Sequence, residues 1–128
     1  RSPQWKGGGV VFAPKPRDYS IRLNRKEKQA ALKSVLTSKV ANNKFIVLDE
    51  LSLDEIKTKR IVALLDNLKV NKALIVLGEK NDNVQLSARN IPSVRTVLSN
   101  SINVYDILKY DTLVLTKDAV EKIEEVYA

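Results

Sequence analysis

The sequence predicts an α/β protein: a three-layer α/β/α body with a mostly parallel four-stranded sheet and an extended basic N-terminal arm. Four short aliphatic runs alternate with segments whose apolar residues have helical spacing, the pattern of strands covered by helices on both faces. The 128 residues are 44% apolar and 29% charged, which suits one domain with one core. We therefore expect an arm over residues 1–23 and an α/β globular domain over residues 24–128.

The arm is predicted from its glycine and proline content. Residues 1–23 contain three of the four prolines and the run Gly7–Gly9, and they show no helical periodicity. Proline removes a backbone donor and glycine loses more entropy than other residues in regular structure. We expect an irregular, extended segment in which Val10–Phe12 form a short extended run.

The globular domain is predicted to begin with a helix that Asn24 caps and that runs to about Ala41. Its apolar residues Leu32, Leu36 and Val40 repeat every four positions. In the last predicted helix, Val120, Ile123 and Val126 should point inward. The other elements are predicted as strands over 45–48, 73–77, 94–98 and 112–116, and as helices over about 55–68, 82–90, 103–109 and 117–127. Such alternation indicates parallel strands joined by right-handed crossovers.

Positive charge is concentrated at the start of the chain. The whole sequence carries 22 basic and 15 acidic residues, a net charge of +7. Residues 1–44 hold eleven basic and two acidic side chains, a net of +9, whereas residues 45–128 hold eleven and thirteen, a net of −2. This asymmetry favours an arm that binds a polyanion, joined to a nearly neutral domain.

The composition excludes several classes of function. Without cysteine or histidine there is no zinc site of the usual kind, no disulfide and no histidine-activated nucleophile. No G-x-G-x-x-G and no phosphate-binding loop motif is present. The longest aliphatic run, Ala73–Leu77, is far shorter than the ~20 residues that span a bilayer. We expect no catalytic residues, no cofactor, no metal and no membrane partner.

Basic side chains in the arm are the strongest signal for RNA. Lysine and arginine supply phosphate contacts, and Trp5 can stack on an unpaired base. The same composition also fits a flexible tail with no defined partner. The basic residues concerned are Arg1, Lys6, Lys15, Arg17, Arg22, Arg25, Lys26 and Lys28.

Other readings remain open from the residues alone. Asp49 and Glu50 follow the first predicted strand, where paired carboxylates can hold Mg²⁺ in a small α/β phosphate-ligand or magnesium-binding module, or simply form a solvated turn. The second helix begins with Lys57, Lys59 and Arg60, which either bind phosphate or point into water. A third reading is a protein–protein adaptor that uses a bare edge of the sheet.

Several motifs, in order along the chain, resemble the bacterial L-four family of large-subunit ribosomal proteins. They occupy Gln4–Phe12, Pro14–Arg17, 57–59, 86–92, 102–108, 113–117 and 119–125. The resemblance covers essentially all 128 residues. The family pattern begins earlier, with a strand, a helix and the outgoing half of a long extension, so we expect the tip of that extension to lie outside this sequence.

The resemblance implies a structural protein of the large ribosomal subunit, cytoplasmic and ribosome-bound. It implies binding to large-subunit ribosomal RNA, a place near the peptide exit tunnel, a role in early assembly, contacts with neighbouring ribosomal proteins and, in some bacteria, binding to the protein's own mRNA leader. Under this resemblance the expected RNA-contacting residues are Arg1, Gln4, Trp5, Lys6, Gly7, Gly8, Gly9, Lys15, Arg17, Arg22, Arg25, Lys26, Lys57, Lys59, Arg60 and Arg89.

Overall fold

A computed structural model describes residues 1–127 and confirms the predicted α/β class. All four strands have the predicted bounds. The elements in chain order are α1 (Arg25–Ala41), β1 (Phe45–Leu48), α2 (Thr58–Asn67), β2 (Ala73–Leu77), α3 (Asp82–Ala88), β3 (Val94–Leu98), a short 3-10 helix (Ser99–Ser101), α4 (Val104–Lys109), β4 (Thr112–Thr116) and α5 (Lys117–Tyr127). Within the described range, no helix combines the length and the apolar character needed to cross a membrane.

The four strands form one sheet in the order β1-β4-β2-β3, and every pair is parallel. Val114 of β4 lies opposite Ile46 of β1 on one side and Ile75 of β2 on the other. Because all strands run the same way, their amino ends meet at one edge of the sheet and their carboxyl ends at the opposite edge. β1 and β3 are the outer strands, and Val47 of β1 is 49% exposed.

Apolar side chains cover both faces of the sheet because successive strand residues point to opposite sides. On one face, Ile75 of β2 packs with Ile61 of α2 and Val84 of α3. On the other face, Leu74 packs with Leu32 of α1 and Ile107 of α4. These side chains are at most 4% exposed, and burial of each contributes about 1.5–3 kcal/mol.

The second helix begins three residues later than its sequence pattern indicates. Tertiary contacts hold the preceding segment out of the helix: the N–H of Lys57 donates to Oγ of buried Ser87 at 3.0 Å, and Asn83 donates its amide to the carbonyl of Leu53 at 2.8 Å. Lys57 is therefore an extended N-cap residue rather than part of the first turn. Similarly, α3 ends at Ala88 instead of Asn90.

Two apolar stripes differ from prediction at their ends. Val40, part of the predicted apolar stripe of α1, is 56% exposed, and Val126 of α5, which was expected to point inward, is 64% exposed. Near the end of α5, Tyr127 packs against the core, and at its start Ala119 is completely buried. The expected extended run at Val10–Phe12 is also wrong, because Val11 and Phe12 form a turn.

Two helices end in the same backbone motif at the amino edge of the sheet. After α1, Asn43 adopts a left-handed conformation with φ 54°, and the N–H of Lys44 donates to the carbonyl of Lys39 at 2.9 Å. After α2, Lys69 has φ 55° and the N–H of Val70 donates to the carbonyl of Leu65 at 3.0 Å. These are Schellman motifs, which satisfy the last helical carbonyls and turn the chain toward the next strand.

Candidate nucleic-acid interface

The beginning of the arm, residues 1–9, forms a compact double turn held by main-chain hydrogen bonds. The N–H of Trp5 donates to the carbonyl of Ser2 at 3.1 Å, and the N–H of Gly8 donates to the carbonyl of Trp5 at 2.8 Å. The guanidinium of Arg1 donates to the carbonyl of Lys6 at 3.4 Å. Gln4 and Lys6 are exposed, and 67% of Trp5 is exposed, so the indole is accessible to a partner.

Two of the three consecutive glycines are required by this turn. Gly7 has φ +74°, a conformation that residues with a Cβ rarely adopt. A Cβ on Gly8 would lie 2.1 Å from the carbonyl oxygen of Ser2. Gly9 has no such constraint, since a Cβ there would meet nothing within 4 Å. The glycines thus shape the turn that presents Trp5 and Lys6.

The remaining arm residues are exposed and contain no helix or strand. The guanidinium of Arg17 lies 4.0 Å from the centre of the Tyr19 ring, a cation–π arrangement. The carboxylate of Asp18 accepts hydrogen bonds from the hydroxyl and the N–H of Ser20, and these bonds lower the pKa of Asp18. The one acidic group of the arm therefore bonds to serine rather than to an arm cation.

Within residues 1–127, the arm cations have no carboxylate partner. Between residues 1–24 and the rest of the described chain, the structure contains no salt bridge. Lys15 and Arg22 are exposed, and Arg25 and Lys26 continue the positive charge into the first turn of α1. The helix start is stabilised by Glu27, whose carboxylate accepts from the N–H of Asn24 at 3.0 Å. The cations are accordingly available to an external anion.

The predicted cations of α2 and α3 lie near one another on the body. Lys57 forms a salt bridge with Glu55, and Nη1 of Arg60 lies 3.5 Å from Oδ2 of Asp54. The bond from the N–H of Lys57 to Ser87 places the start of α2 beside the end of α3, two residues before Arg89. Lys59 and Arg89 are exposed. Carboxylates partly neutralise this group, in contrast to the arm.

The acidic residues that follow the strands lie at one edge of the sheet. Asp49, Glu50, Glu79 and Asp118 line an open cleft of about 280 Å³ at the carboxyl edge of the sheet. Across residues 1–127, no three histidine, cysteine or acidic side chains are grouped closely enough to hold a metal ion. The geometry gives no support to the alternative of a magnesium-binding module.

A parallel α/β body joined to an exposed, unpaired cationic arm defines a class of small basic proteins suited to a polyanionic partner. The chain belongs to the Ribosomal protein L4/L1 family, whose model matches residues 1–126. The family resemblance of the sequence motifs is thereby confirmed.

Curated relatives agree with this assignment. The chain is 73% identical over 128 residues to the large ribosomal subunit protein uL4 of Lachnoclostridium phytofermentans. It is 65% identical over 128 residues to the protein of that name from Lachnospira eligens, and 64% identical over 129 residues to that from Alkaliphilus oremlandii. Each match covers all of this chain and 62% of the relative, so the chain spans less than two thirds of their length.

Proposed function

We propose that the chain is a structural, non-catalytic constituent of the large ribosomal subunit that binds large-subunit ribosomal RNA, in the cytoplasm and bound to the ribosome. The observation that carries the proposal is the family match over residues 1–126, together with relatives named as large ribosomal subunit proteins. The net charge of +9 in residues 1–44 and the absence of carboxylate partners for the arm support RNA as the ligand.

The arm contacts RNA chiefly through phosphates. A cation without an internal salt bridge loses only its hydration when it binds phosphate. The free energy of its charge-assisted bond to phosphate is therefore not offset by the loss of a salt bridge. Trp5 supplies a surface on which a base can stack. The proposed contact residues are Arg1, Gln4, Trp5, Lys6, Gly7, Gly8, Gly9, Lys15, Arg17, Arg22, Arg25, Lys26, Lys57, Lys59, Arg60 and Arg89.

We extend the proposal to the further roles that the family resemblance implies for the protein, including translational autorepression in some bacteria. These are a place near the peptide exit tunnel, early assembly of the subunit, contacts with neighbouring ribosomal proteins and binding to the protein's own mRNA leader. Because one set of cations would bind either RNA, ribosomal RNA and an mRNA leader should compete for the chain. Competition between the two RNAs in a filter-binding assay checks this expectation.

The salt dependence of binding tests the proposal. Lys6→Ala, Lys15→Ala and Arg17→Ala, combined in one variant, should reduce the magnitude of the slope of log K against log salt for large-subunit ribosomal RNA. Each phosphate contact contributes about 0.7 to 0.9 to that slope, so three lost contacts reduce it by about 2.

The matched control removes the same charge elsewhere. Lys33, Lys80 and Lys117 are exposed lysines outside the proposed contact set, and their combined replacement by alanine should leave the slope close to that of the unmodified chain. Equal slopes for the two triple variants would contradict a specific role of the arm.

A further inference from the structure

The parallel sheet separates charge between its two edges. Within the four residues that precede each strand there are four lysines and one acid, Asp111. Within the four residues that follow each strand there are four acids and two lysines, Lys80 and Lys117. The sheet therefore has a positive amino edge, which includes Lys44 directly before β1, and a negative carboxyl edge. The four lysines of the amino edge are Lys44, Lys69, Lys72 and Lys109.

The four amino-edge lysines have few partners within the chain. All four are exposed, and none forms a salt bridge with a carboxylate in residues 1–127. Of the two lysines that follow strands at the carboxyl edge, Lys80 lies 2.9 Å from Asp82, whereas Lys117 has no salt bridge within residues 1–127. The ammonium of Lys109 lies 5.7 Å from the centre of the Tyr105 ring and 5.8 Å from that of Tyr110. Lys44, Lys69 and Lys72 thus keep their positive charge free for an external anion.

The fold brings the main chains of two amino-edge lysines, Lys44 and Lys72, close enough for both side chains to reach one ligand. β4 separates β1 from β2, so the main chains of Lys44 and Lys72 are two strand spacings, about 10 Å, apart. Lys69 occupies the left-handed position after α2, where glycine would have no conformational cost. Lys44 directly follows the corresponding position after α1. Both Schellman motifs therefore project lysines from the same edge.

The chemistry of the surrounding loops favours nucleic acid over protein. Asn42, Asn43 and Asn71 are exposed at this edge and supply amide groups. The exposed apolar side chains here are confined to the Lys109 side, where Tyr105 is 68% and Leu108 is 62% exposed. Protein interfaces have an apolar, aromatic core from which lysine is depleted. Flexible lysines beside polar amides are instead typical of contacts with a sugar–phosphate backbone.

We propose that the amino edge of the sheet, formed by Lys44, Lys69, Lys72 and Lys109, is a further RNA phosphate-binding surface, made of other residues than the arm and the cations of α2 and α3. The proposal rests on the proposed function, because it assigns the same class of ligand to another part of the chain. Binding here fixes the body on RNA by charge and shape and reads no base sequence.

The test uses the full chain and large-subunit ribosomal RNA. Lys44→Ala, Lys72→Ala and Lys109→Ala, combined in an edge variant, should reduce the magnitude of the salt slope by about 2 if each lysine contacts one phosphate. The control that replaces Lys33, Lys80 and Lys117 should not reduce it. Combining the edge and arm variants should give additive losses, since the two surfaces share no residue.

The outcomes separate the two proposals. If the edge variant has the same salt slope as the control and the arm variant has a smaller one, the edge proposal is overturned and the proposed function stands. If the salt slope is reduced in neither the edge variant nor the arm variant, both proposals are overturned.

Lysine acetylation followed by mass spectrometry provides the second readout. Bound RNA should protect Lys44, Lys72 and Lys109 from acetylation. Full modification of these lysines in the presence of RNA would overturn the edge proposal.

Discussion

Nη1 of Arg95 lies 2.8 Å from Oδ1 of Asp106, joining the outer strand β3 to helix α4. The side chain of Asp106 is only 2% exposed, whereas that of Arg95 is 51% exposed. The second oxygen of Asp106 accepts from the amide of Asn103 at 2.8 Å, and the N–H of Asp106 donates back to Asn103 at the same distance. A buried carboxylate is thereby fully hydrogen-bonded, which is the condition under which burial of a charge is tolerated.

Loss of Arg95 should destabilise the fold more than loss of an exposed ion pair. Arg95→Ala leaves the Asp106 carboxylate buried with one partner fewer. We expect the free energy of unfolding to fall by about 1–2 kcal/mol. This is less than the cost of breaking a fully buried ion pair, because Arg95 is half exposed. Arg60→Ala removes the exposed pair with Asp54 and should cost less than about 0.5 kcal/mol. Urea unfolding of both variants makes the comparison; equal costs would contradict it.

Gly78 should be intolerant of a side chain because β2 ends against the start of α5. A Cβ on Gly78 would lie 2.8 Å from Cβ of Asp118 and 3.0 Å from the nitrogen of Ala119. Gly78→Ala should therefore lower the free energy of unfolding by about 1–3 kcal/mol. Gly9→Ala, where a new Cβ meets nothing within 4 Å, is the control and should leave thermal unfolding unchanged.

The left-handed backbone at Lys69 provides a way to stabilise the body. Lys69→Gly and Lys69→Ala both remove the lysine side chain, but only glycine relieves the cost of φ 55°. After the entropy that glycine gains in the unfolded chain is taken into account, the glycine variant should be more stable than the alanine variant by about 0.5–1 kcal/mol. Denaturant midpoints decide the order, and a more stable alanine variant would refute it.

Lys39 should make stability depend on alkaline pH. Its ammonium donates to the carbonyls of Tyr110 at 2.8 Å and Asp111 at 2.9 Å, and burial, together with the charge of Lys44, lowers the pKa of Lys39 from its usual 10.5. The folded state thus binds this proton less tightly than the unfolded chain. Stability relative to Lys39→Met should rise as pH increases toward 10.5 and level off above it.

Unfolding of the two proteins between about pH 8 and about pH 11 measures this difference. Lys33→Met, which removes an exposed lysine from the same helix, controls for the loss of a long side chain. If the free energy of unfolding of the unmodified chain, relative to that of Lys39→Met, falls as the pH rises, the predicted direction of the Lys39 pKa shift is wrong.

The strands are predictable because each is marked by the hydrophobic pattern of its own few residues. β1 and β2 are runs of apolar residues, and every residue of Ala73–Leu77 is buried; β3 also contains Arg95 and Thr96. The start of α2 was not predictable in the same way, since the bond from Lys57 to Ser87 joins positions thirty residues apart. The order of the strands and the Arg95–Asp106 pair likewise depend on tertiary packing.

The candidate site likewise has one part that the sequence predicts and one part that it does not. The arm is visible in sequence because charge, glycine and proline are concentrated within residues 1–23. The amino-edge surface was not predicted from the sequence, because Lys44, Lys72 and Lys109 are far apart along the chain. Only the parallel topology of the sheet places them at one edge. A count of charges before and after each predicted strand would have indicated this edge.

High-resolution cryo-electron microscopy of a large subunit that contains this chain tests the central claim most directly, through the distances from the arm nitrogens to RNA phosphate oxygens. We predict Lys6, Lys15 and Arg17 within hydrogen-bonding distance of phosphates. An arm whose cations pair instead with carboxylates of the body, away from RNA, would contradict the account.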